Sequence, residues 1–186
     1  MIFIKSLNNN GEAEIGVPPA ASIISGETTT SYGSLPDAVN AWSAGSTLKL
    51  LSDVTTSSTI TVPTGEHTLD LNGYGIKMTG SGGVIKIPSD ADLTLIDSRA
   101  EGNTHYYYID SSTNLAVIAS TQEAAQSNNA GKNGSFTGGY ITGGNNPSGS
   151  GEGGGGISVL GKLTIEQRYR DRQLCCRRGR RYQCDY

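Results

Sequence analysis

The sequence predicts an all-β chain wound as a parallel β-helix, a solenoid with three short strands per coil. Pairs of apolar–x–apolar strands recur three times, and a brief turn separates the two members of each pair. Strands this short cannot bury themselves, and their recurrence is typical of stacked repeats. Only 35% of the residues are hydrophobic and 26 are Gly, which suits a thin core with many turns. The pairs are 60–62 with 69–71, 85–87 with 93–95, and 157–159 with 163–165.

The segment before the repeats divides into two parts. Residues 1–31 show little periodicity and are predicted to form a linker or an irregular N-terminal segment. A short helix is predicted to follow, because Ser34 can cap it and Pro36 suits its first turn. Its apolar face includes Trp42, and Gly45 ends it. We expect this amphipathic helix to cover the open end of the repeats.

The predicted coils occupy residues 32–165. In each strand two apolar side chains alternate with an outward residue, so equivalent positions of successive coils should stack. The predicted stacks are Leu48, Leu69, Leu93 and Leu163 on the first face, Ile60, Ile85 and Ile157 on the second, and Val54 with Ile76 on the third.

Residues 98–135 interrupt this rhythm and are predicted to contain an inserted β-hairpin. Two apolar runs, 105–109 and 115–119, flank the polar stretch 110–114. This pattern is typical of a hairpin with a five-residue loop.

The last segment, 166–186, differs from the rest in composition. It carries a net charge of +4 against −7 for residues 1–165, and it holds all three cysteines. One interpretation is a basic tail that binds an acidic surface. The other is a shifted reading frame, because Arg and Gly codons moved by one base encode Val, Ala, Asp, Glu or Gly. One such decoding resembles residues 139–157, so we favour an aberrant tail in which neither the Arg cluster nor Cys175 and Cys176 serves chemistry.

Several motifs then point to a known group of proteins. They are T-L-D-L-N-G (68–73), L-T-L-I-D-S (93–98), H-Y-Y-Y-I-D (105–110), G-G-Y-I-T-G-G-N (138–145) and G-G-G-G-I-S-V (153–159). They resemble the right-handed parallel β-helix repeat domains of large bacterial cell-surface, adhesin-like proteins. The resemblance covers roughly residues 32–165. It implies right-handed coils, an extracellular or cell-surface location on a bacterium, and a longer parent chain with further repeats; the start of that chain is expected upstream.

The positions of the acidic residues and histidines in the sequence do not indicate a catalytic site. Enzymes of this fold that cleave pectin-like polymers need clustered carboxylates, whereas the alignment sets Asp70 beside Lys49 and Thr94. His67 in a turn and His105 at the hairpin edge are expected to be solvated, with no partners for a metal. We therefore predict no catalytic residue, no metal and no cofactor.

Tyr106, Tyr107 and Tyr108 are the candidate ligand-binding residues. Neighbouring strand residues point to opposite faces, so at least one ring should face outward and could stack on a sugar. The alternative is that these rings pack the hairpin against the rest of the chain.

The predicted function is a non-enzymatic surface module for adhesion, glycan contact or cell-surface structure. Its expected partners are extracellular glycans or a host surface, and further repeats of its parent chain. The net charge of −3 argues against nucleic acid, and no stretch approaches the roughly 20 apolar residues that span a bilayer. Two alternatives stay open: a fragment of a polysaccharide lyase or glycoside hydrolase whose catalytic coils lie elsewhere, and a non-functional gene fragment.

Overall fold

The computed structural model describes residues 3–7, 13–16, 18–145 and 155–166, the strands at 3–7 and 13–16 by backbone alone apart from Gly16. Over these ranges the chain forms two short helices and strands that belong to five sheets. The first half contains β1 (Phe3–Leu7), β2 (Ala13–Gly16), β3 (Ala21–Ser25), β4 (Thr28–Tyr32), α1 (Leu35–Asn40), β5 (Thr47–Leu50), β6 (Val54–Thr56), β7 (Ile60–Thr61), β8 (Gly65–Asp70), β9 (Gly75–Met78) and β10 (Ile85–Ile87).

The second half carries the remaining elements. They are β11 (Ala91–Ile96), β12 (Thr104–Ile109), β13 (Ala116–Ala119), α2 (Gln122–Asn128), β14 (Asn133–Thr137), β15 (Tyr140–Thr142), β16 (Ile157–Val159) and β17 (Lys162–Glu166).

The prediction of a single right-handed parallel β-helix is wrong. The described strands lie in several separate sheets with both parallel and antiparallel pairing, and none of these sheets is closed or solenoid-like. The largest sheet has the order β17-β11-β8-β5-β3-β4, in which β3 runs antiparallel to both of its neighbours. A tight turn at Gly26, where φ is +57°, reverses the chain between β3 and β4. Such reversals need only two residues, whereas parallel neighbours need a crossover, so local turn chemistry breaks the predicted winding.

Strand pairing within residues 47–165 agrees with part of the predicted alignment. Ile85 pairs with both Ile60 and Ile157 in parallel register, as predicted. The pairing of Leu69 with Leu93 is wrong, because Leu69 lies opposite Leu95. A shift of two residues keeps every side chain on the same face, so the alternation of apolar residues cannot distinguish the two registers.

The buried apolar side chains form one cluster between the sheets. Leu48, Leu50, Ile76 and Ile85 are almost fully excluded from solvent. The predicted helix is confirmed as α1, and its Ser34 cap accepts a hydrogen bond from the Asp37 N–H at 3.3 Å. It ends at Asn40, so the predicted end at Gly45 is wrong and Trp42 lies beyond the helix. This helix adds apolar side chains to the cluster and contacts β3 and β4. The segment 1–31, predicted as linker or irregular, contains β1 to β3 and most of β4.

The predicted hairpin is confirmed as the antiparallel pair β12 and β13, with Tyr106 opposite Ala119. The sequence did not predict β14, which pairs with the other edge of β12, or α2, which contacts all three strands. In the hairpin loop, the Ser112 hydroxyl and nearby N–H groups lower the pKa of exposed Asp110 to about 2. The aberrant tail predicted for 166–186 lies outside the described residues from position 167 onward.

Candidate functional site

An open cleft lies where the hairpin sheet meets β9 and β15. Its volume is about 490 Å³. Three tyrosines, a carboxylate and an ammonium group line it, together with a buried histidine and small polar residues. The lining residues are Asp53, Tyr74, Lys77, Asn103, Thr104, His105, Tyr106, Ile118, Ala119, Ser120 and Tyr140.

One wall of the cleft is built on parallel pairing between β9 and β15. Tyr140 pairs with Gly75, and the Tyr140 ring lies directly over the Gly75 backbone. Any side chain at position 75 would collide with that ring. Glycine is therefore required here for a close approach of ring and backbone.

His105, in β12, connects the hairpin-sheet wall of the cleft to the wall formed by β9 and β15. Its Nε2 lies 3.0 Å from the Gly73 carbonyl oxygen, so this nitrogen carries the proton and donates. Its Nδ1 faces Asp53 Oδ2 at 3.9 Å. Phe136 and Tyr140 pack against the ring, with centroids 5.4 and 4.8 Å away. Only 8% of His105 is exposed, so the expectation of a solvated side chain is wrong.

Asp53 and Tyr140 set the electrostatics of the cleft. Asp53 Oδ1 accepts a hydrogen bond from the Gly75 N–H at 2.7 Å, and half of its side chain stays exposed. Burial, followed by the nearby charge of Asp53, raises the pKa of Tyr140 to about 12. The Tyr140 hydroxyl therefore keeps its proton at neutral pH and can both donate and accept hydrogen bonds.

Asp97 holds the turns behind the cleft in place. Its Oδ1 accepts from the Gly73 N–H and its Oδ2 from the Gly139 N–H, both at 2.6 Å. The Asn103 amide adds a hydrogen bond to the Gly73 carbonyl oxygen at 3.0 Å. The two sides of the cleft are thus fixed to each other by hydrogen bonds to backbone groups.

The three predicted tyrosines do not share one site. Tyr106 lines the cleft. The Tyr107 ring lies against Gly134 and 6.4 Å from Phe136, and Tyr108 lies opposite Val117 in the hairpin. All three are half-buried. Their role in ligand binding stays a prediction.

Four charged or aromatic residues of the cleft are not among the candidates that the sequence predicts: Asp53, Tyr74, Lys77 and Tyr140. Tyr140 lies within the glycine-rich motif 138–145, which resembles cell-surface repeat proteins but does not by itself predict a binding residue. Each of the four lies in or beside a short strand, and no spacing rule brings these positions together. Only the pairing of β6, β9 and β15 in one sheet does so.

Other predicted residues have structural positions. Lys49 pairs with Asp70 as predicted, with Nζ 3.2 Å from Oδ2, but Asp70 lies opposite Ile96 rather than Thr94. His67 is in β8 and only 3% exposed, so its predicted solvation is also wrong. Its ring packs edge-on against Trp42 at 4.9 Å. Among the residues that the structure describes, no three His, Cys, Asp or Glu are grouped to hold a metal.

Comparison with protein-family models, curated proteins and solved structures found no match to the chain. Neither helix in the described part of the chain is long and apolar enough to cross a membrane.

Proposed function

We propose that this chain is a non-enzymatic module that contacts extracellular glycans through the cleft between the hairpin sheet and β9. The observation that carries the proposal is the grouping of Tyr74, Tyr106 and Tyr140 around one open cleft. Aromatic faces offer the flat apolar surface on which a sugar ring stacks, and each hydroxyl adds a directional hydrogen bond.

The polar groups of the cleft suit hydroxyl-rich ligands. The exposed oxygen of Asp53 accepts hydrogen bonds, Lys77 donates, and the protonated Tyr140 hydroxyl does both. Because one carboxylate and one ammonium group balance each other, the cleft carries no strong net charge. A neutral sugar fits this balance better than a polyanion does.

The cleft is also held in shape before any ligand arrives. Hydrogen bonds from Gly73 and Gly139 to Asp97 fix the turns that carry its walls. A preformed site loses less conformational entropy on binding, which favours measurable affinity for a small ligand.

The proposed setting is the surface of a bacterium or its surroundings, with a role in adhesion or surface structure. Support comes from the sequence motifs, such as residues 105–110 and 138–145, which resemble cell-surface repeat proteins. The glycans would belong to a host or to the environment.

The test measures binding of the purified chain to an array of host and bacterial glycans. Titration calorimetry with the best-bound oligosaccharide then gives its dissociation constant. We expect Tyr106→Ala to weaken binding by about two- to twelvefold, since one aromatic contact contributes about 0.5–1.5 kcal/mol. Tyr108→Ala, two positions along the same strand, is the matched control and should bind like the parent chain.

Three results would count against this proposal. They are no binding to any glycan, equal loss in both variants, and a Tyr106→Ala variant that binds normally while melting like the parent. The non-enzymatic part is tested separately, by incubating the chain with the bound polysaccharide. New reducing ends or unsaturated products would show an enzyme instead.

A further inference from the structure

Strand β17 forms one outer edge of the six-stranded sheet. It pairs with β11 on one side, and no other described strand pairs with its second side. A free edge exposes backbone N–H and C=O groups that can pair with another strand. On this edge strand Ile165 is exposed, and so are two apolar residues that precede β17 in the chain, Val159 in β16 and Leu160.

We propose that two copies of this chain associate through β17, paired antiparallel around a two-fold axis at Thr164. In that register Lys162 of each copy faces Glu166 of the other. Leu163 of each copy faces Ile165 of the other, and the two Thr164 residues face each other. The strand K-L-T-I-E is thus complementary to itself in charge, apolar character and β-branched pairing.

Exposure of the side chains agrees with this register. Ile165 is 63% exposed, whereas Leu163 is half-buried against the core. Opposite residues of an antiparallel pair lie on the same face of the sheet, so Leu163 of one copy would cover Ile165 of the other. The strand partner would therefore bury apolar surface that the single chain leaves in water.

The charges of Lys162 and Glu166 favour pairing of β17 with a second β17 over pairing of β17 with the strand at the opposite edge of the sheet. The other outer strand, β4, has the sequence T-T-T-S-Y and offers no partner for Lys162 or Glu166. Pairing of β17 with β4 of another copy would also repeat without end and build filaments. The two-fold pairing of β17 closes at a dimer.

The test is sedimentation equilibrium of the full chain over a range of concentrations, with three charge variants. We expect the parent to form a dimer. Lys162→Glu and Glu166→Lys each place like charges opposite one another in both symmetric pairs, and each should raise the dissociation constant by about tenfold. The double variant K162E/E166K restores opposite charges and should return to within about threefold of the parent.

A control variant tests whether a change in net charge alone alters dimer formation. Glu101→Lys changes the net charge as Glu166→Lys does, but at an exposed loop position, and should leave the dimer unchanged. Lys162 also lies 3.7 Å from Asp92 of its own chain. Thermal melting of each variant therefore accompanies the equilibrium measurement, and the double variant would not recover from a purely local loss.

The proposal is overturned by a parent chain that stays monomeric up to its solubility limit, whether the edge is vacant or covered by residues 167–186. Filaments in place of a closed dimer would overturn it too. So would a double variant that associates no better than the single ones.

Discussion

The buried carboxylate of Asp70 accepts hydrogen bonds from the backbone of two turns. Its Oδ1 accepts from the N–H groups of Asn72 and Ser98, each at 2.9 Å. Lys49 pairs with its other oxygen. The side chain therefore joins the turn after β8 to the turn after β11. An interaction of this kind is lost when either the charge or the acceptor is removed.

Removal of this carboxylate should destabilise the fold. We expect Asp70→Asn to lower the free energy of unfolding at neutral pH by about 1–3 kcal/mol, because buried donors lose their charged acceptor. Glu101→Gln, at an exposed position, is the control and should have little effect. Chemical denaturation of both variants measures the difference.

The same residue predicts a pH dependence. Burial alone would raise the pKa of Asp70, but hydrogen bonds from Ser98, Asn72 and Lys49 outweigh it and hold the pKa below 3.8. A lowered pKa in the folded state gives stability that is present above the unfolded value and is lost as pH falls through the folded one. The parent should therefore lose stability below about pH 3.8, and Asp70→Asn should show a shallower loss. Equal acid slopes for the two proteins would contradict this assignment.

At the scale of elements, the hairpin sheet is attached to the parallel strands by few contacts. Aromatic packing of His105 and Phe136 against Tyr140 of β15 is one, and hydrogen bonds to Gly73 from His105 and Asn103 are another. These contacts also form the wall of the cleft. Detachment of the hairpin sheet would therefore remove the site without unfolding the core.

A single substitution can distinguish detachment of the hairpin sheet from unfolding of the core. We expect Phe136→Ala to speed amide hydrogen exchange in residues 104–137 by about tenfold or more, since it removes part of the aromatic contact. Trp42, the one tryptophan of the chain, packs against His67 far from the hairpin along the sequence, so its fluorescence should change little. Leu115→Ala, in the exposed loop of the hairpin, is the matched control. Faster exchange throughout the chain would show that the hairpin sheet and the core unfold together.

At the scale of the whole molecule, stability depends on one thin core shared by several sheets. Ile85 is fully buried in β10, the central strand of the sheet β16-β10-β7. Among the described strands, β10 pairs only with β16 and β7. Its side chain nevertheless belongs to the same apolar cluster as Leu48 and Ile76, which come from two other sheets. Side chains rather than backbone hydrogen bonds therefore unite the sheets.

This arrangement predicts a large effect of a core truncation. Ile85→Ala should cost about 2–5 kcal/mol, since it removes buried methyl groups and leaves a cavity. Leu115→Ala removes the same three carbon atoms from an exposed position and should change stability by no more than about 0.5 kcal/mol. Denaturant titrations followed by Trp42 fluorescence compare the two. Similar stabilities would contradict a shared core.

The sequence alone predicts features of this protein that depend on local interactions or on a pattern repeated along the chain. Ser34 caps a helix because its hydroxyl satisfies an N–H three residues away, and the hairpin forms around a polar loop between two apolar runs. Both depend on neighbours in sequence. The pairing of Ile60, Ile85 and Ile157 also follows from a pattern repeated along the chain.

Tertiary structure alone decided the division into separate sheets, the register of Leu69 against Leu95, and the composition of the cleft. Register shifts of two residues leave the apolar face unchanged, so the whole set of side-chain contacts has to choose between them. Burial of His67 and His105, and the meeting of Asp53 with Tyr140, depend on strands that are distant in sequence. Such contacts form only when the sheets pack, and no local pattern encodes them.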